Sequence, residues 1–148
     1  QGEAADALRR MEADDPGLAS SFLAGAHAYA VFPRVAKGGW WLGGSYGRGV
    51  VYRAGAPIGY ADITGASVGL QFGGQAYAEL LVFEDEAALR RFTSGQLSAG
   101  VDVSAVVLKT GAAGAARYDR GVAVFVRPLG GAMIEAAVGA QQFTFQPG

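Results

Sequence analysis

The chain has 148 residues, with 12 basic and 13 acidic side chains, one histidine and no cysteine. That length fits one domain, and a composition 51% hydrophobic and 17% charged supplies a core and excludes a disordered chain. Without cysteine there are no disulfides, thiol nucleophiles or iron–sulfur clusters, a single histidine excludes His-rich metal sites, and a net charge of −1 argues against nucleic-acid binding through bulk positive charge.

Residues 1–26 differ from the rest. They hold five acids and two arginines, a net of −3, whereas residues 27–148 hold 10 basic and 8 acidic residues, a net of +2. Glu3 to Asp14 predicts a short helix with Ala4, Leu8 and Met11 on one face. Asp15-Pro16 reads as an N-cap followed by proline at the first helical position, opening a second helix that docks Leu18 and Phe22. From His27 the hydrophobic period becomes two. Residues 27–33 (HAYAVFP) form a strand candidate. Trp40 to Gly44 and Arg48 to Arg53 are expected to pair across a glycine-rich turn at Ser45 to Gly47, and Ile58 to Ile63 follows. Ala66, Val68, Leu70 and Phe72 alternate with small or polar residues, the pattern of a half-buried strand. Gly73-Gly74 is a turn signal before a strand over Gln75 to Glu84.

One helix interrupts the strands. Glu84, Asp85 and Glu86 sit at its start, Leu89 and Phe92 form its apolar stripe, Arg90 and Arg91 lie near its end, and Gly95 caps it. Strands resume at Val101 to Leu108, Val122 to Arg127, Ala132 to Val138 and Gln142 to Gln146. Gly111 to Ala116 reads as a flexible loop without chemistry. Glycine, at 24 residues, lies between β-branched and aromatic runs, which suits hairpins and bulges. The sum is an α+β fold. It is mostly antiparallel, with about nine strands in a curled sheet resembling a barrel or sandwich, short N-terminal helices and one inserted helix.

Two segments match the hydrolase pattern GxSxG, residues 43–47 and 65–69. That pattern needs a strand-to-helix turn and a later histidine base. His27 precedes both serines and neither match opens a helix, so the glycines read as hairpin glycines and His27 as an ordinary strand-end residue. No complete catalytic constellation can be assembled, and no enzyme, cofactor or metal site is expected.

The informative stretch is Phe32 to Arg53. It carries Arg34, Lys37, Arg48 and Arg53, and no acid lies between Asp15 and Asp62. Trp40 and Trp41 are adjacent, so in a strand one enters the core while the other faces out. An exposed indole beside cationic side chains suits a membrane interface with anionic headgroups. The other reading is a core tryptophan, a partner-facing tryptophan and solvated arginines.

At this stretch the chain resembles the SYLF, or Ysc84-like, domain family. The shared pattern runs through Ala30-Val31-Phe32-Pro33, Lys37-Gly38-Gly39, Gly47-Arg48-Gly49-Val50 and Gly59-Tyr60. It continues through Ser67 to Gly73, Leu81-Val82-Phe83, the helix Ala88 to Phe92, Gly100 to Ser104 and Leu129-Gly130-Gly131. The resemblance implies a SYLF-like domain over residues 27–148, with 1–26 as a helical segment packed on it, and a non-enzymatic lipid-binding module. Eukaryotic relatives bind phosphoinositides, and some bind actin. This N-terminus is acidic where some of those relatives carry a basic amphipathic helix, so actin-type binding is not expected here. Ten arginines against two lysines, with a bare single domain, look like a bacterial member. That implies export and a place in the cell envelope, in the periplasm or at the outer membrane, with any lipoprotein anchor lying before Gln1. Arg34, Lys37, Trp40, Trp41, Arg48 and Arg53 are then the expected lipid-binding residues, and a phospholipid membrane the expected partner. The alternative is a protein-interaction or structural module of the envelope, with a protein partner or a homo-oligomer.

Overall fold

The computed structural model describes residues 2–37, 44–66, 76–99, 105–129 and 141–148. Helix α1 (Gly2–Asp14) and the short α2 (Gly17–Ser21) lead through a 3-10 turn (Leu23–Gly25) into the strands. These are β1 (Ala28–Lys37), β2 (Gly44–Arg53), β3 (Ala56–Ala66) and β4 (Ala76–Phe83). After helix α3 (Glu86–Thr93) come β5 (Ser98–Ala99), β6 (Ala105–Val107), helix α4 (Ala112–Ala115), β7 (Val122–Leu129) and β8 (Gln141–Pro147). The described residues form one eight-stranded sheet in the order β5-β8-β3-β2-β1-β4-β7-β6, antiparallel except for β6 beside β7. The α+β class with a curled, mostly antiparallel sheet is therefore as expected, with eight strands rather than about nine among the described residues. The expected strand over residues 132–138, most of that over 66–72 and the first half of that over 101–108 lie outside them.

The sheet curls because strands twist and because its two faces bury different things. Its inner face gathers Phe32, Val51, Ile63, Leu81 and Phe83 with Leu89 and Phe92 of α3. Phe83, Phe92, Phe143 and Phe32 form a chain of rings with successive centroids 5.0, 5.1 and 6.0 Å apart. Such pairs add roughly 1 kcal/mol each beyond their burial. Phe143 lies on β8, so this chain joins strands with β3 and β2 between them in the sheet order. The outer face of the central strands carries Val31, Val50, Leu80, Val82 and Phe125, covered by Ala4, Met11, Leu18 and Phe22 of the N-terminal segment. Ala4 and Met11, with half-buried Leu8 between them, make the stripe expected for α1. Phe22 meets Phe125 edge to face at 5.0 Å, pinning the segment to β7.

Two expectations are corrected. Ser45 to Gly47 is no turn: β2 runs unbroken from Gly44 to Arg53, and β1 stops at Lys37. Glycine is needed here for close approach. A Cβ on Gly49 would lie 2.3 Å from the Val31 carbonyl oxygen and 2.6 Å from the Phe32 ring, and Gly47 is similarly crowded by Val35. Gly111 to Ala116 is not simply a loop, because Ala112–Ala115 forms a helical turn. The buried Asp15 carboxylate organises it, accepting hydrogen bonds from the backbone N–H of Ala113 (2.6 Å), Gly17 (3.1 Å) and Gly111 (3.3 Å). These bonds, that from Ala113 foremost, hold Asp15 below the usual carboxylate range.

Candidate functional site

The basic and aromatic stretch maps onto the β1–β2 hairpin. Pro33 lacks an N–H and cannot complete the ladder of a central strand. β1 accommodates it with a bulge: Val31 pairs with Val50 and Val35 with Gly47, so three residues of β1 face two of β2. The bulge leaves Arg34 exposed, and among the described residues it has no ion pair. The Lys37 backbone lies opposite Ser45, at the end of the ladder. Trp40 and Trp41 lie outside the described residues. Tyr46, 47% exposed, pairs with Ala36 at the same end.

Arg48 has a partner across the sheet. Its Nε donates to Asp62 Oδ1 at 2.8 Å and its Nη2 to Oδ2 at 3.4 Å, while Tyr46 Oη donates to Oδ1 at 3.0 Å. The Arg48 guanidinium holds the Asp62 carboxyl below its ordinary value. An exposed pair of this kind adds little stability because solvent screens it, yet it fixes the side chain's direction. Beside it, a shallow groove of about 210 Å³ runs between Glu3 and Ala4 of α1 and Arg48, Val50 and Tyr60 of the sheet.

Arg53 is elsewhere. Val50 faces the outer surface and Val51 the inner, so strand alternation puts Arg48 outside and Arg53 inside. At roughly 3.3 Å per residue, the two are also some 16 Å apart along β2. Arg53 Nη2 approaches Glu86 Oε1 at 3.5 Å, where His27 Nε2 also hydrogen-bonds the same oxygen at 2.6 Å. Arg90 Nε lies 3.4 Å from Glu86 Oε2. The His27 bond foremost, then Arg53 and Arg90, lowers the Glu86 carboxyl. This cluster ties the start of α3 to the first and second strands. The hairpin therefore brings together Arg34, Tyr46 and Arg48 with the Lys37 backbone, and leaves Arg53 at the other end.

Of the two GxSxG matches, the structure describes residues 44–47 of the first and only 65–66 of the second. Ser45 is a ladder position in β2, and Ser67 lies outside the described residues.

One polar group escaped the sequence reading. Glu79 sits on the inner face of β4, fully buried, between Phe32 of β1 and Val126 of β7. Gln141 Nε2 of β8 donates to Glu79 Oε1 at 3.0 Å and to Tyr77 Oη at 2.8 Å. Burial pushes the Glu79 carboxyl up to about 8, against a smaller lowering by Gln141. The available signal was a single charge inside the otherwise uncharged run Ala76–Phe83.

A family model described as Ysc84, Las17-binding protein actin regulator, matches residues 64–141. The matched segment spans β4, α3 and β7, and ends at Gln141. No curated protein matches the chain.

Proposed function

Because the chain belongs to the Ysc84, or SYLF, family, we propose that it works as a non-enzymatic binding module whose β1–β2 hairpin end meets anionic lipid headgroups at a membrane of the cell envelope. The observation that carries this reading is Arg34, which is exposed on the bulge with no acidic partner among the described residues. Lys37, Trp40 and Trp41 follow it in the chain, and the exposed Tyr46 ring stands at the same end. Each basic side chain close to an anionic surface adds about 1 kcal/mol, and interfacial aromatics seat at headgroup level. Such a contact is weak and reversible, so residence at the membrane needs a covalent anchor or a second contact. Arg48 contributes less than Arg34 because Asp62 already holds it. Export to the periplasm or outer membrane belongs to the same proposal.

The family description names protein partners, which favours a second reading in which the same end docks a protein. Liposome co-sedimentation separates the two. Pelleting with anionic vesicles is expected at low salt and is expected to fall at high salt. An Arg34→Ala, Lys37→Ala double variant is expected to lose most of it, and Arg53→Ala to keep it. Pelleting that ignores salt, or survives in the double variant, would overturn the lipid reading.

A further inference from the structure

The inner face of the sheet holds an arrangement that the lipid reading does not use. Glu79 Oε2 and Gln141 Oε1 are both buried, and neither has a hydrogen-bond partner among the described residues. A buried acceptor left alone costs roughly 1–3 kcal/mol, and two on one hydrogen-bonded pair of side chains are unusual in one small core. The bond already present, from Gln141 Nε2 to Glu79 Oε1, is one half of the two-bond ring that a carboxylic acid and a primary amide form together. The other half needs a hydrogen on Glu79 Oε2 and an acceptor on the amide, and Gln141 Oε1 is that acceptor. One proton thus satisfies both orphan oxygens.

We propose that Glu79 is held as a neutral acid that donates to Gln141 Oε1, closing an acid–amide latch between β4 and β8 that alkaline pH opens. Three strands, β3, β2 and β1, separate β8 from β4 in the sheet, so the latch spans the inside of the curl. The second amide hydrogen, donated to Tyr77 Oη, holds the amide plane from the side. The surroundings favour the neutral form. The register neighbours are Phe32 and Val126, α3 brings Leu89 and Phe92, and β8 brings Phe143; Tyr77 is the titratable group bonded to the same amide, and Arg53, also inside, is held with His27 by Glu86 toward the other end of β2. Burial supplies the shift that keeps the acid protonated at neutral pH. The strands joined by the latch begin at Ala76 and Gln141, at the same end of the sheet where β1 stops at Lys37 and β2 begins at Gly44. Opening it would therefore loosen the end that carries the basic hairpin.

The test uses the full chain and the variant Glu79→Gln, whose amide can form the same two bonds without titrating. Denaturant unfolding is followed from pH 5 to pH 9.5. Between the ordinary glutamate range and about 8, the wild-type unfolding constant is expected to rise relative to the variant by close to tenfold per pH unit, then level off. The wild-type protein gives a second, independent reading by carbon NMR. The Glu79 carboxyl carbon is expected to titrate near 8, and the Gln141 side-chain amide signals are expected to move with the same midpoint. Parallel pH profiles for the two proteins would overturn the latch. So would a Glu79 carboxyl that titrates with the surface acids, or Gln141 amide signals that stay still, and these two decide the matter even if the variant does not fold.

Discussion

Two carboxylates are buried on opposite sides of this sheet, and they reach opposite protonation states. Asp15, under the N-terminal helices, accepts three backbone N–H bonds and is held below the usual range. Glu79, on the inner face, accepts one amide bond and is pushed up to about 8. Burial penalises both charges, so what differs is the supply of donors. Asp15 stands where helices begin, and the first N–H groups of a helical turn have no partner of their own. Glu79 stands in a strand paired on both sides, by β1 and β7, where the ladders use the backbone N–H groups. A buried acid near helix starts finds donors for its charge. A buried acid in mid-sheet keeps its proton.

Several substitutions would break this contrast. The largest effect is expected from Asp15→Ala, which removes the acceptor for three N–H groups and should cost about 3 kcal/mol in urea unfolding. Its pH signature is on the acid side. A lowered native value means the stabilisation is present above the unfolded value of 3.8 and is lost as pH falls through the native one. The wild type should therefore lose this contribution in acid, and Asp15→Ala should show a flatter acid limb.

Gln141→Leu comes next. It takes away the only hydrogen bond that the Glu79 carboxyl accepts among the described residues and should cost about 2 kcal/mol. The lost Nε2 bond lowers Glu79 and the lost acceptor Oε1 of Gln141 favours its neutral form, so the direction in which the carboxyl titration moves reports which of the two bonds is the stronger. The sign is the reverse of that for Asp15. A raised native value gives stability that is complete below the unfolded value of 4.5 and declines as pH rises through about 8. Carboxyl NMR on the variant checks the direction.

The smallest effect is expected where the acid meets water. Arg48→Ala removes the exposed partner of Asp62 and should change stability far less than the two buried changes, and less still in high salt. Chemical denaturation at two salt concentrations measures this. A loss as large as that from Asp15→Ala would show that burial does not separate the sites.

Much of this was legible in the chain. The apolar spacing of Ala4, Leu8 and Met11 locates α1. Asp85 does accept from the Ala88 N–H at the start of α3, in the acidic run expected there. Leu89 and Phe92 face the core as their spacing requires. The strand over 76–83 lies where the apolar run puts it, and β1 begins where expected but continues past Pro33 to Lys37 by way of the bulge. The misplaced turn at Ser45 to Gly47 has a definite cause. Glycine serves turns and close packing alike, and only the position of the Phe32 and Val35 side chains over Gly49 and Gly47 distinguishes the two.

The candidate site divides the same way. Local sequence was enough to collect Arg34, Lys37, Arg48 and Arg53 into one stretch, because spacing along a chain sets which residues are near neighbours. It was not enough to say which of them act together. Strand alternation and the Val50/Val51 division of faces separate Arg48 from Arg53, and the acids that hold them, Asp62 and Glu86, come from β3 and α3. Glu79 is the extreme case. Its partner Gln141 is 62 residues away in the chain and reaches it only because the sheet curls. Periodicity and composition determined the elements and the fold class, since these depend on neighbours within a few residues. The protonation of Glu79 and the pairing of the arginines were decided by tertiary structure, because solvation and charge act through space and not along the chain.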